Sequence, residues 1–131
     1  MTISTRRTGS GLALLAVVVG VGCADLSTEG GGPLELTITA SQTTATVGTE
    51  IQFDYTAKGS FLAGVILDYG DLSPLDSIPA LGAQSSSGRR PHTYTEAGEF
   101  QMTGKVEDSV QGTLTRQIQI EITPVTPAPV R

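Results

Sequence analysis

Hydrophobic and polar residues alternate along most of the chain after residue 33. In the clearest run, Ile118, Ile120 and Ile122 alternate with the polar residues at 117, 119 and 121. An alternation with a period of two places the apolar side chains on one face of a β-strand and the polar ones on the other. The same pattern occurs at 34–40, 51–57, 65–69 and 100–106. It predicts antiparallel strands that each bury one face.

Short segments that favour turns separate these runs. They contain glycine next to polar or small residues and lie at 47–49, 58–60, 70–71, 88, 97–98 and 111–112. Strands spaced by about 8–12 residues predict an all-β fold, an Ig-like sandwich of two antiparallel sheets with about seven strands over 34–123. Within it we expect a short edge strand near 76–80 and a mobile loop at 84–88. Pro74, Pro79 and Pro91 suit edges and turns.

Residues 1–22 have the pattern of a secretory signal peptide. Arg6 and Arg7 form a basic start, and an apolar stretch follows at 11–22. This stretch is shorter than the roughly 20 apolar residues that cross a bilayer, so it predicts a signal helix rather than a membrane span. The only cysteine of the chain, Cys23, comes directly after it.

Residues 19–23, Val-Gly-Val-Gly-Cys, resemble the bacterial lipobox, in which small residues precede a lipid-modified cysteine. Gly20 stands where that motif prefers Leu or Val. The resemblance implies that the mature chain begins at Cys23 and is lipid-anchored in the bacterial cell envelope. Because Ala24 rather than an aspartate comes next, it implies the outer membrane if the host has two membranes. The alternative is ordinary cleavage after Ala24, which would release a secreted protein.

Two flexible segments flank the predicted sandwich. The linker within 23–33 is polar, contains three consecutive glycines and ends at Pro33. Residues 124–131 are rich in proline and predict an extended, solvated tail. The predicted organisation is therefore a signal peptide at 1–22, a lipidated cysteine and linker at 23–33, one domain at 34–123 and a tail at 124–131.

Three motifs in the predicted sandwich resemble those of the PKD domain, the polycystic-kidney-disease repeat. Residues 65–71, Val-Ile-Leu-Asp-Tyr-Gly-Asp, are similar to the family's Trp-Asp-Phe-Gly-Asp-Gly, and residues 92–100 are similar to its His-x-Tyr-x-x-x-Gly-x-Tyr. Val106-Glu-Asp108, followed by Gly112, is similar to its Val-x-Asp turn. The matching positions of the first two motifs are Asp68, Tyr69, Gly70, Asp71, His92, Tyr94 and Gly98. The resemblance implies a small Ig-like sandwich in which these residues have structural roles.

The chain departs from the family pattern at three places. Leu67 replaces the core tryptophan, Leu72 replaces the last glycine of the first motif, and Gly104 has an inward position where a larger apolar residue is usual. A large-to-small change in a core costs about 2–5 kcal/mol when nothing refills the space. We therefore expect a looser core near Leu67 and Gly104.

Charge and composition exclude several classes of function. The chain has 8 Lys+Arg against 13 Asp+Glu, and without Arg6 and Arg7 the mature chain has 8 − 2 = 6 basic residues and a net charge of 6 − 13 = −7. That balance argues against nucleic acid or an anionic membrane surface as a partner. Aromatic residues make up 5% with no tryptophan, which leaves little surface for stacking on bases or sugars. One cysteine and one histidine allow neither an intrachain disulfide nor a Cys/His zinc site.

Four aspartates are the candidate metal ligands of the chain. Asp68, Asp71, Asp76 and Asp108, the last beside Glu107, offer the oxygen atoms that calcium prefers, although their spacing differs from that of an EF-hand. In our main interpretation, Asp68 and Asp71 instead accept backbone N–H groups in a turn. Calcium is the alternative, and no other cofactor is expected.

His92 is the only histidine of the chain. A catalytic base would need an orienting carboxylate and a nucleophile within hydrogen-bond reach. We interpret His92 and Tyr94 instead as a hydrogen-bonded corner that starts a core strand, as the family resemblance implies. Arg89 and Arg90 predict a small, solvated basic spot.

These features together predict a non-enzymatic module, anchored to the membrane by a lipid on Cys23, that contacts a protein or polysaccharide through loops or an exposed sheet face. The alternative is a secreted, calcium-responsive adhesive or substrate-binding accessory domain. A hydrolase would require a nucleophile paired with His92.

Overall fold

The computed structural model describes residues 32–127 and 129. The signal peptide, Cys23 and most of the predicted linker lie outside the described residues. Within them the chain is all-β, as predicted, and it contains no helix of the length and hydropathy needed to cross a membrane. The strands are β1 (Glu35–Ala40), β2 (Thr44–Thr46), β3 (Glu50–Asp68), β4 (Asp76–Thr93), β5 (Gly98–Asp108) and β6 (Gly112–Thr123).

One curled sheet joins all six strands. Its order is β1-β3-β5-β6-β2, and β4 pairs with β3; every pairing is antiparallel except the parallel one of β2 with β6. β3 has register shifts between Lys58 and Leu62 and between Leu62 and Gly64. Its first part pairs with β1 and the end of β4, whereas its second part pairs with β5 and the start of β4. β3 and β4 therefore both cross from one layer of the sandwich to the other.

This continuity corrects two details of the prediction. The turn expected at 58–60 is an irregularity inside β3, so the described residues hold six strands rather than about seven. The mobile loop expected at 84–88 is part of β4, where Ser86 pairs with Ala57 and Gly88 with Tyr55. A run of serines has no apolar face, and only its pairing with β3 makes it a strand. β4 has no other partner among the described strands, and Pro79 and Pro91 lie on this edge as predicted.

The core lies between the two layers and is built from the predicted inward faces. Its fully buried members include Phe53 of β3 and Met102 of β5. The whole buried apolar set is Leu36, Ala45, Ile51, Phe53, Tyr55, Ala57, Leu62, Val65, Leu67, Tyr69, Ile78, Tyr94, Met102, Val106, Ile120 and Ile122. Burial of such side chains contributes roughly 1.5–3 kcal/mol each to folding.

The loosened core expected near Gly104 is absent, because another strand fills the space. A Cβ atom on Gly104 would overlap with Cδ1 of Ile38 and would lie 3.5 Å from Leu67 Cδ2. Ile38 belongs to β1, which is not hydrogen-bonded to β5 but packs against it across the sandwich. Ile38 of β1 therefore fills the space that a side chain at position 104 would occupy, and Leu67 is fully buried beside it.

Candidate functional site

The sandwich has two ends, which hold different parts of the sequence motifs. We call the tether end the one that contains Leu34, the irregular part of β3 at 59–61 and the β5–β6 turn at 109–111. The tail end contains the β3–β4 loop at 69–75, the β4–β5 loop at 94–97 and the last residue of β6, Thr123. The first two sequence motifs meet at the tail end, and the third lies at the tether end.

The first motif makes a tight turn at the tail end. Asp68 is the last residue of β3, and its Oδ1 accepts the backbone N–H of Gly70 at 2.9 Å. Gly70 has φ +80°, and a Cβ there would lie 2.5 Å from the carbonyl oxygen of Gln101. Only glycine combines this backbone conformation with so close an approach of β5. The turn leaves Tyr69 with its side chain in the core.

The second motif is bonded to the first through His92 and Asp71. His92 Nε2 lies 2.7 Å from Asp71 Oδ2, and both side chains are only 14% exposed. The imidazole is stacked on the ring of Tyr69, with centroids 3.8 Å apart and planes 3° from parallel. The other carboxylate oxygen, Oδ1, accepts the backbone N–H of Ser73 at 3.1 Å and its hydroxyl at 2.5 Å. The β3–β4 loop is thereby fastened to the last residues of β4.

The charge of Asp71 is favoured in this setting. Partial burial raises the pKa of its carboxyl, but the hydrogen bonds from Ser73 and His92 outweigh burial and hold the pKa below its usual value of 3.8. The carboxylate is therefore ionised at neutral pH, when it accepts both donors.

Tyr94 completes the cluster from the β4–β5 loop. Its hydroxyl donates to the buried carbonyl oxygen of Tyr69 at 2.9 Å, and its ring meets His92 edge-on at 4.8 Å and stacks on Phe100 at 4.8 Å. Burial, followed by the negative charge of Asp71, raises the pKa of Tyr94, so its proton is retained at neutral pH. His92 pairs with Ile51 and, with Thr93, ends β4.

The expectation that the corner of His92 and Tyr94 starts a core strand is therefore wrong in one respect. His92 lies within β4, where it pairs with Ile51, and Tyr94 directly follows the end of β4. The next strand begins four residues after Tyr94, at Gly98, which pairs with Ile122.

Asp76 and the two arginines lie next to this cluster. Asp76 Oδ2 lies 3.4 Å from the hydroxyl of Tyr69 and 3.1 Å from Nε of Arg90, an ion pair without hydrogen-bond geometry. Burial, followed by the charge of Asp76, raises the pKa of Tyr69 to about 12. Arg89 makes a bidentate contact with Asp54 on the exposed face, at 2.7 and 3.2 Å. Each arginine of the predicted basic spot thus has an acidic partner.

Asp108 has a different setting at the tether end. It is the last residue of β5 and is buried. Its Oδ2 accepts the backbone N–H groups of Ser60 and Phe61, both at 2.7 Å, and its Oδ1 accepts those of Val110 and Gln111 at 2.8 and 2.9 Å. Burial raises its pKa, but these four donors prevail and hold the pKa below 3.8. One carboxylate thus joins the middle of β3 to the β5–β6 turn.

The order of groups at the tail end differs from that of a catalytic triad. In a triad the imidazole lies between the hydroxyl and the carboxylate, so that it takes the hydroxyl proton. Here the carboxylate of Asp71 lies between the hydroxyl of Ser73 and the imidazole of His92. The Ser73 hydroxyl and the imidazole both bond to the carboxylate, so this arrangement fastens a loop and differs from that of a triad.

Comparisons with known proteins rest on structure alone. No protein-family model and no curated protein matches the sequence. Among solved structures, the PKD domain of an M14-like peptidase from Thermoplasmatales archaeon SCGC AB-540-F20 is similar, with a TM-score of 0.60 at 13% identity, over 71% of this chain and 98% of that one. The CARDB domain of a Pyrococcus furiosus protein, in complex with di-metal ions, has a TM-score of 0.55 at 12% identity, over 76% of this chain and 99% of that one.

The fold is PKD-like. At these identities the likeness concerns the Ig-like sandwich and not the residues on its surface. It agrees with the fold that the PKD-like motifs of this chain imply.

The PKD-like domain does not bring the four candidate calcium ligands together. Asp68, Asp71 and Asp76 lie at the tail end, whereas Asp108 pairs with Leu62 of β3 at the tether end. Asp71, Asp76 and Asp108 already face the donors described above. In the part of the chain that the structure describes, no three His, Cys, Asp or Glu side chains form a group that could hold a metal ion.

Two features of the PKD-like domain were not predicted from the sequence. Gln111 binds the start of the domain, because its Nε2 donates to the Gly32 carbonyl at 3.1 Å and its Oε1 accepts the Leu34 N–H at 2.9 Å. Leu72 and Leu81 have positive φ angles of 67° and 52°, and both side chains are exposed. A leucine with positive φ has a strained backbone. The one sign of it in the sequence was that Leu72 stands where the first PKD motif has glycine.

Proposed function

We propose that this chain is a non-enzymatic, PKD-like binding module that is exported and held at the bacterial cell envelope by a lipid on Cys23. Three features of the sequence support the anchor: the basic and then apolar start, the position of the sole cysteine directly after it, and the polar, glycine-rich linker that follows. The support for a binding role is the Ig-like fold, which this chain shares with PKD and CARDB domains.

The observation that carries the non-enzymatic role is the bonding of His92. The imidazole is stacked on Tyr69 and bonded to Asp71, and the carboxylate is in turn bonded to Ser73. These side chains are largely enclosed and join the β3–β4 loop to the end of β4. They stabilise the tail end, and the small pocket that Asp71 lines with Leu72, Thr95, Glu96 and Phe100 includes neither His92 nor Ser73.

The outer face of β3 and β5, beside the β3–β4 loop, is the surface that suits a protein partner. Ile66 and Leu75 lie in a shallow depression there, bordered by Asp68, Thr103 and Lys105. An apolar centre with a polar border is the usual composition of a protein contact. Aromatic stacking on a sugar is less well supported, because Phe61 is the only exposed aromatic side chain in the described residues, which include all three Phe and all three Tyr of the chain.

Metabolic labelling with a fatty-acid probe tests the anchor. The wild-type chain, expressed in a bacterial host, should incorporate the label and fractionate with membranes, whereas the variant Cys23→Ser should do neither. An unlabelled wild-type protein in the soluble fraction would contradict the anchor and would favour the secreted alternative.

Photo-crosslinking in living cells tests the contact surface. A crosslinking amino acid at Leu75 should give a discrete adduct in the envelope, because Leu75 lies in the proposed contact. The same amino acid at Ser87, which lies on the other layer of the sandwich, is the control. Equal adducts at both positions, or none at Leu75, would contradict this surface.

A further inference from the structure

Three exposed apolar side chains lie at the tether end of the domain. They are Phe61 in the irregular part of β3, Leu81 in β4 and Val110 in the β5–β6 turn. The Phe61 ring packs beside Gly82, and the Phe61 carbonyl oxygen accepts the N–H of Ser109 at 3.0 Å. The three segments that carry these side chains therefore meet. We call Phe61, Leu81 and Val110 the apolar rim.

The chain that leads to Cys23 leaves the domain beside this rim. Gln111, the neighbour of Val110, fixes both Gly32 and Leu34 by hydrogen bonds. Residues 24–31 then separate Gly32 from Cys23. Fully extended, this connection spans roughly 30 Å. A lipid on Cys23 would thus keep the apolar rim near the membrane surface, so that even a weak contact would form at a high local concentration.

The distribution of charge favours the same orientation. The tail end carries most of the acidic residues of the described chain, which are Glu50, Asp68, Asp71, Asp76, Glu96, Glu99 and Glu121. At the tether end Asp108 is buried and bonded, Glu35 lies opposite Lys58, and Glu107 pairs with Lys105 at 2.8 Å. An anionic lipid surface would repel the tail end more strongly than the tether end.

We propose that the apolar rim contacts the lipid surface in which the anchor is inserted, and so holds the tail end away from the membrane. This inference rests on the proposed lipid anchor at Cys23. Phe61, Leu81 and Val110 enter the boundary between headgroups and acyl chains, as apolar side chains of surface-bound proteins do. Moving exposed apolar side chains from water into the membrane lowers the free energy. Those of the apolar rim lie near the anchor and reach the membrane, whereas exposed apolar side chains at the tail end do not.

Two leucines provide a matched pair for the test. Leu81 and Leu72 both have positive φ and are 90% and 101% exposed, but Leu81 lies in the apolar rim and Leu72 at the tail end. The full chain with Leu81→Cys or Leu72→Cys is purified from bacterial membranes, labelled on the new thiol with a polarity-sensitive fluorophore, and reconstituted in vesicles of phosphatidylethanolamine and phosphatidylglycerol. Some vesicles contain nitroxide lipids as quenchers. Because a lipidated Cys23 has no free thiol, the label is specific.

The label at position 81 should be quenched by nitroxide lipids at least about threefold more than the label at position 72, because apolar side chains at a membrane interface lie about 5–10 Å deep. Val110→Cys is a second rim position, should Leu81→Cys disturb β4.

Protein that floats with the vesicles but is quenched equally at both ends overturns the apolar rim and leaves the anchor intact. Protein that does not float overturns the anchor and this inference with it. A spectral shift at position 81 that grows with protein concentration without vesicles would assign the rim to a second copy of the chain and overturn the lipid contact.

Discussion

Asp108 at the tether end and Asp71 at the tail end both join a loop to a strand, but with different partners. Asp108 accepts four backbone N–H groups, which any sequence supplies at those positions except proline. Asp71 accepts one backbone N–H, that of Ser73, and otherwise depends on the side chains of Ser73 and His92. The difference teaches that Asp108 holds the tether end through backbone donors that most sequences provide, whereas Asp71 holds the tail end through particular side chains, so its position tolerates fewer sequences.

The largest expected effect is that of Asp108→Asn. The amide keeps one acceptor oxygen but points an NH₂ group at two backbone donors, so the Tm should fall by roughly 10 °C or more. The matched variant Asp71→Asn should lose less, because one oxygen can still accept the donors of Ser73. Thermal melts followed by circular dichroism measure both. An equal loss in the two variants would contradict the distinction between the two ends.

The next effect is expected for Tyr94→Phe at the tail end. It leaves the buried carbonyl of Tyr69 without its donor, which should cost about 1–3 kcal/mol in the free energy of unfolding. Tyr69→Phe is the control, since its hydroxyl makes only a 3.4 Å contact with Asp76. Chemical denaturation measures both variants. If Tyr69→Phe is the more damaging of the two, the hydroxyl of Tyr94 does not hold the corner.

Acid should weaken both ends. The pKa values of Asp71 and Asp108 lie below 3.8 in the folded chain, so the unfolded chain binds protons first as the pH falls. Their stabilisation is complete above about pH 5 and is lost as the pH falls through the folded-state pKa values. Denaturant midpoints between pH 7 and pH 2.5 test this. The stability of the Asp71→Asn variant should depend less on pH than that of the wild type. Identical profiles would show that Asp71 does not contribute to the loss of stability in acid.

A small gain is expected for Leu72→Gly. A leucine with positive φ costs about 1–2 kcal/mol, and glycine in the unfolded chain costs about 0.5–1 kcal/mol more entropy than other residues, so the variant should be more stable by about 0.5–1 kcal/mol. Leu81→Gly is the companion at the tether end. Denaturant midpoints that fall in both variants would show that these leucines are held by packing rather than strained.

The smallest effect is expected from calcium. Because Asp71, Asp76 and Asp108 already have hydrogen-bond or ion-pair partners, millimolar calcium or a chelator should change the Tm by less than about 1 °C. A rise that Asp71→Ala abolishes would instead support the calcium-responsive alternative and would show that the tail end is a metal site.

The alternating pattern was sufficient to predict the all-β fold and the inward faces of the strands. The motifs at 68–71 and 92–94 indicated a structural corner, but the bond of His92 to Asp71 joins residues 21 positions apart, and local patterns carry no information on such a partner. The same limit applies to Asp108, which was considered as a calcium ligand because its donors at 60 and 61 lie 48 and 47 positions away.

Packing between strands explains the remaining errors. The serines at 84–88 have no apolar alternation, so the sequence resembles a loop, yet β3 supplies the hydrogen bonds that make it a strand. Gly104 indicated a cavity because a single strand does not reveal that Ile38 of β1 fills the space above it. Shape complementarity between distant strands is a property of the folded chain.

Intact-mass spectrometry of the protein from bacterial envelopes, beside the variant Cys23→Ser, tests the central claim most directly. We predict a wild-type chain that begins at Cys23 and carries an added lipid mass, which the variant lacks. A chain that begins at Asp25 with no added mass would contradict the anchored module and would make it a secreted protein.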